Sequence, residues 1–247
     1  MLFIGHGDPM NAIEDNEFSQ KWRELGQSLP GPEAILSISA HWEAPGTEVT
    51  SSLKPRTIHD FYGFPRELNE KQYPAPGSPD LVERVKAVVK SIAVQDNLRW
   101  GFDHGTWSVL SRMYPDASIP VVQLSLHRGL DPETHFALGR ELQSLRDEGV
   151  LILGSGNMVH NLPLARYGGG AYDWAVEYDA SLKEWILERD FDEVVHYSRH
   201  GFPAELSVNS MEHYLPLLYV LGASQKDDPL EFFCDKVVMG SVSMRCV

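Results

Sequence analysis

The chain has 247 residues and sets 21 Lys and Arg against 35 Asp and Glu, a formal net charge of −14 with histidine neutral. That balance argues against nucleic-acid binding, which needs clustered cations, and against anionic membranes; no run approaches the roughly 18 apolar residues of a membrane span. Two late cysteines, Cys234 and Cys246, without a C-x-x-C spacing, argue against a thiolate metal site or a disulfide framework and point to a reducing cytoplasm.

Short apolar runs alternate with helical patterns along the chain. Leu2-Phe3-Ile4 reads as the end of a strand, and so early a strand leaves no room for a leader. A helix is expected from near Asn16 to Leu29. Ala34 to Ser39, "AILSIS", is a second strand. Leu81, Val85, Val88, Val89 and Ile92 recur at helical spacing, which predicts a helix over 80–92 capped by Ser78-Pro79. A short helix is expected over 107–113, a third strand at Pro120 to Leu126 and a helix from Pro132 to Glu148. Gly149 closes that helix, and Val150 to Leu153, "VLIL", is a fourth strand. Helices follow over 175–189 and 211–221, the latter with Pro216 in its first turns, and Val237 to Met244 is expected as a last strand.

Strands that read as near-continuous apolar runs separated by helices imply an α/β fold. The expected form is one domain over residues 1–247, with a mostly parallel central sheet and helices on both faces. Such sheets bind ligands beyond the carboxyl ends of their strands. Histidines fall there repeatedly. His6 follows "LFIG", His41 follows "AILSISA", His127 follows "VVQLSL" and His160 lies just past "VLILGSGNMV". His213 opens a helix, and His104, like His6, has a glycine neighbour that permits close backbone approach. His127 lacks such support and reads as a loop residue; His135, His196 and His200 read as solvated. Clustered imidazoles without thiols suit a divalent metal such as Zn(II) or Fe(II) at the carboxyl edge of the sheet. Zincin spacing, a G-x-S-x-G elbow and a G-x-G-x-x-G loop are all absent.

The segments "GHGDPM", "SAHW", "TIHDFYGFP", "YPAPGSP", "WGFDHGTW", "YPDASIPVVQLS", "GSGNMVHN", "EHYLPLLYVLGA" and "MGSVSM" run in order from near Met1 to near Val247. Together they resemble the class III extradiol ring-cleavage dioxygenases of the LigB-like superfamily, closest to the DOPA 4,5-dioxygenase branch. The resemblance implies a Rossmann-like enzyme with one divalent metal per chain, Fe(II) for turnover or Zn(II) as bound, and a catechol and O2 as substrates. By motif it implies His6, His41 and His213 as metal ligands. It implies His160 as the acid–base residue and possible fourth ligand, and His104 as a catalytic residue on the oxygen side. His59, Phe61 and Tyr62 would contact substrate, with Phe64 in the same aromatic wall. Better-known relatives place a glutamate where Glu212 and His213 stand here. Neighbours on a helix diverge by about 100°, so only one of the two can face the ion, and the branch resembled favours His213. Two other readings stand beside this one: a zinc hydrolase or amidase using the same cluster, and a binding module. Monomer and small homo-oligomer are both open.

Overall fold

The computed structural model describes all residues, Met1 to Val247. Six strands form the central sheet: β1 (Leu2–Gly5), β2 (Ala34–Ala44), β3 (Thr47–Thr50), β4 (Val94–Asn97), β5 (Val121–His127) and β6 (Val150–Gly156). Their spatial order is β1-β6-β2-β5-β3-β4. All neighbours are parallel except β3 and β5, which meet antiparallel through Val49 and Leu124. Nine helices surround the sheet: α1 (Glu17–Ser28), α2 (Arg66–Glu70), α3 (Pro79–Val88), α4 (His104–Met113), α5 (Pro132–Leu142), α6 (Asp173–Glu188), α7 (Phe191–Val195), α8 (Gly201–Ser207) and α9 (Leu215–Gly222). No helix is long and apolar enough to cross a membrane.

The pleat explains the unbroken apolar runs. In β2, Ala34, Leu36 and Ile38 enter a core built with α3, α5, α6 and α9, while Ile35 faces a second core under α1 and α4. In β6, Val150 and Ile152 divide from Leu151 and Leu153 in the same way. Both faces are covered, so both sets of side chains are apolar. The α4 side becomes polar toward the strand ends: Ser37, Ser39, Gln123, Ser125 and Ser155 are all buried. Ser37 bonds Thr106, Ser39 donates to Asp103 at 2.7 Å, and Gln123 also reaches Asp103. Asp103 in turn caps α4 by accepting from the Thr106 amide, so the polar stripe fixes where that helix begins.

Several expected elements end elsewhere. The second strand continues to Ala44 through a bulge between Ile38 and Glu43, which places His41 inside the strand rather than after it. The helix expected over 80–92 stops at Val88. There Glu141 accepts from the amides of Lys90 and Ser91 and draws the chain away. The helix expected to Glu148 is α-helical only to Leu142 and finishes as a 3-10 segment closed by left-handed Gly149. The expected last strand is a hairpin of β7 (Val237–Val238) and β8 (Val242–Ser243), because Met239 and Gly240 both take positive φ and turn the chain. Residues past β8 then run beside β1, where Phe3 and Val247 exchange both backbone hydrogen bonds.

Candidate metal centre

The carboxyl edge of the parallel strands is tied together by backbone contacts. His6 donates its amide to the carbonyl of Gly156, and Asn157 donates to that of His213. Gly156 has no room for a side chain: a Cβ there would lie 2.1 Å from the His213 carbonyl oxygen. Gly7 takes a left-handed backbone, with φ +57°. Its missing side chain makes room for Met244 of the C-terminal segment, whose sulfur would lie 2.3 Å from a Cβ.

Five histidines converge here on a cleft of about 280 Å³. The ring centroids of His6 and His41 are 5.0 Å apart, and His41 lies 3.8 Å from His104. His213 lies 5.4 Å from His6 and 5.0 Å from His41, and His160 stacks on His213 at 3.5 Å. The nitrogens and carboxylate oxygens that could bind an ion form two facing triplets, His6, His41 and His104, and His160, Glu212 and His213. Within each, the atoms lie inside 4.8 Å of one another.

The partners of these rings assign their tautomers. Ser155 Oγ gives its proton to the Gly105 carbonyl at 2.6 Å, so it accepts from His6 Nδ1 at 3.0 Å. Glu212 accepts from His213 Nδ1 at 3.1 Å. Asp60 accepts from His104 Nδ1 and from the His104 amide, both at 2.9 Å, and lies 3.4 Å from His41 Nδ1. The Nδ1 atoms of His6, His104 and His213 therefore carry the hydrogen and their Nε2 atoms a bare lone pair, and the Asp60 carboxylate 3.4 Å from His41 Nδ1 favours the same tautomer there. His6 Nε2 and His41 Nε2 face each other at 3.1 Å. Two lone pairs so placed repel unless a cation lies between them. Two nitrogens bound to one ion at about 2.0–2.1 Å stand about 2.9–3.4 Å apart, so the donors fit a divalent metal.

Electrostatics favour the same state. Burial, then the neighbouring imidazoles, push His6 and His41 well below the usual histidine range, and burial followed by His213 brings His160 to about 3. Burial also lowers His213, against the pull of Glu212. The rings are neutral at neutral pH, the state in which an imidazole can bind a metal. Burial alone would raise the two carboxyls, but hydrogen bonds from histidine outweigh it: Asp60 is held below the usual carboxylate range and Glu212 at about 2.

His213 lines the cleft and Glu212 does not, its carboxylate accepting from His213 Nδ1; both residues lie in the turn before α9 rather than in a helix. Phe61 and Phe64 line the cleft, and the Phe61 ring lies 5.6 Å from His104. Two expected substrate contacts fall elsewhere. Tyr62 is 93% exposed, turned outward before left-handed Gly63. His59 bonds the Lys71 carbonyl at 2.9 Å and packs on Phe61 and Trp107, behind the wall. His127 accepts from the Gly129 amide, away from the cleft. His135 is not solvated: it is fully buried against the Tyr219 hydroxyl at 3.0 Å. His196 pairs with Glu133 and Asp192 near the surface, and His200 stacks on Trp185 at 4.1 Å. Asp60 and Ser155, which orient the ligand rings, were not singled out from sequence. Polar residues at every second position of an otherwise apolar strand ("LSIS", "VQLS", "GSG") carried the signal for the Ser155 side of the site.

A profile of the family described as the catalytic LigB subunit of aromatic ring-opening dioxygenase matches residues 3–243. The chain is 46% identical to a protein of Escherichia coli K12 named 4,5-DOPA dioxygenase extradiol, across all of this chain and 93% of that one. A Beta vulgaris protein of the same name is 39% identical over 93% of this chain and 88% of its own. A crystal structure of an uncharacterized Escherichia coli K12 protein superposes with a TM-score of 0.84 at 41% identity, covering 99% of this chain and 97% of that one.

Proposed function

The chain belongs to the LigB family of catalytic subunits of aromatic ring-opening dioxygenases, and on that premise we propose how its cleft handles a catechol. It is a metal-dependent extradiol dioxygenase. The proposed substrate is DOPA-like, after the names of the relatives. The proposed ion is Fe(II) for turnover, with Zn(II) also suited to an all-imidazole set. The single observation carrying the reading is the pair of bare Nε2 atoms of His6 and His41 at 3.1 Å, with Nδ1 of each turned to its own partner. The family assignment disfavours the hydrolase alternative.

His6, His41 and His213 would hold the ion. What a bound ion supplies is Lewis acidity toward both catechol oxygens and, as Fe(II), electron transfer toward dioxygen. The remaining work falls to side chains. Phe61 and Phe64 present an apolar wall that orients the ring and excludes water. His160 takes a phenolic proton on its free nitrogen and returns it to the ring-opened product. Its low proton affinity in the unliganded cleft keeps that nitrogen available, and an arriving phenolate oxygen raises the affinity by favouring imidazolium. His104, oriented by Asp60 beside the His41 ring, would stabilise negative charge on the oxygen side by donating from Nε2 as the imidazolium, once it has taken a proton there. Residues 1–247 act in this reading as one catalytic domain.

The test is anaerobic loading with Fe(II) or Zn(II), followed by oxygen uptake on a catechol panel that includes L-DOPA. Uptake with a yellow ring-opened product under Fe(II) alone is the expected result. Ester or amide cleavage without oxygen consumption would reverse it.

A further inference from the structure

Resting on the catechol reading, we infer that the cleft selects catechols by side-chain charge, and that Asp8 reads an ammonium group on the substrate. Aside from histidine, the ionisable side chains on the cleft wall are Asp8, Asp60 and Tyr167; no lysine or arginine lines it. Asp60 is committed to His104 and His41. Asp8 is half-buried two residues past His6, beyond the left-handed turn at Gly7. One of its oxygens accepts from the Met10 amide at 2.9 Å, and the other accepts nothing from the chain. The arginines nearest the wall are engaged elsewhere. Arg166, adjacent to Tyr167, donates to the Gly170 carbonyl at 2.5 and 2.9 Å and lies over the Tyr172 ring at 4.0 Å. Arg112 donates to the carbonyls of Asn11 and Glu14.

A substrate carboxylate therefore meets an acidic wall with no cation to pair with, while an ammonium meets one free carboxylate oxygen. The rest of the wall, including Phe64, Leu162, Met239 and Val242, accepts a short apolar linker. Among catechols that include the DOPA-like one proposed above, a cationic side chain without a carboxylate ranks first. A zwitterionic side chain ranks below it and an anionic one last.

Asp8→Asn isolates the charge, because asparagine caps the turn at Pro9–Ala12 as well as aspartate does. Zn(II)-loaded protein under nitrogen is titrated calorimetrically with dopamine, 4-methylcatechol and 3,4-dihydroxyphenylpropanoate. Oxygen uptake by Fe(II)-loaded protein on the same three compounds gives kcat/KM. Dopamine should bind at least about tenfold more tightly than the propanoate, and Asp8→Asn should cut its advantage over 4-methylcatechol by roughly tenfold in both measurements. Equal or tighter binding of the propanoate overturns the inference, as does a dopamine preference that Asp8→Asn leaves intact. Binding of no catechol, with no oxygen uptake on any, removes the catechol reading itself and this inference with it.

Discussion

Four of the five cleft imidazoles differ from an ordinary buried histidine in what holds their Nδ1. His6 has Ser155, His41 and His104 share Asp60, and His213 has Glu212, so the second nitrogen of each is left bare. His135 is as deeply buried and also bonds through Nδ1, but its partner is the Tyr219 hydroxyl and it lies outside the cleft. These pairings separate ligand from base. His6→Ala removes a donor, and metal affinity should fall by more than about 100-fold, beyond the 10–100-fold typical of losing an orienting partner. His160→Ala should keep most of the metal and lose about 10²–10⁴-fold in kcat, the usual range for a proton-transfer group. Metal content by mass spectrometry beside single-turnover rates checks both, and equal metal loss in the two variants would make His160 a structural ligand. His6, His41 and His160 were legible in sequence because each lies just past an apolar run, His104 from its glycine neighbour and His213 from its place at a helix start. Asp60 was not, since its partner His104 is 44 positions away and nothing local joins them.

Elements bring these residues within reach through close backbone contacts. The end of β6 packs so tightly on the turn before α9 that the strand ends in glycine: a Cβ on Gly156 would clash with the His213 carbonyl. Gly156→Ala should therefore cost about 1–3 kcal/mol of stability and weaken metal binding by moving His213. Gly31→Ala, at a position with nothing within 4 Å, is the control expected to change neither. Urea unfolding with metal titration checks both, and a neutral Gly156→Ala would show that the His213 turn yields freely. Strand interiors and helix caps were legible because Asn16, Ser78 and Asp131 each begin a helix with a local hydrogen bond. Several element ends depend on distant partners and were not. Glu141 stops α3 from 50 residues away, and the β2 bulge that carries His41 exists only against β5. β3 and β4, short and polar at three of their four positions each, gave no apolar run to read.

Over the whole molecule, strand order escapes a local reading because pairing is decided by crossovers: β1 lies beside β6, with 144 residues between Gly5 and Val150. The response to acid follows from burial. Burial drives His135 from 6.5 to about 4, and it drives His6, His41 and His160 in the same direction. Between those values the unfolded chain binds a proton that the folded chain refuses, so stability falls as pH drops from 6.5 toward 4. For His135 alone the full loss is about 3 kcal/mol, at roughly 1.4 kcal/mol per pH unit. A carboxyl held low acts in a separate window: Glu212, at about 2 against 4.5, loses its stabilising effect only as pH falls below 4.5. The slope between about pH 6.5 and 4.5 is thus the loss at buried imidazole less an opposing gain at Asp103, whose carboxyl burial raises to about 6 so that the folded chain takes up that proton first. Metal-free protein should show urea midpoints that fall steadily near pH 7, 6 and 5, and His135→Gln should flatten the trend by close to one proton. Parallel trends in the two proteins would mean that His135 accepts its proton without unfolding and that the slope arises at the metal centre alone.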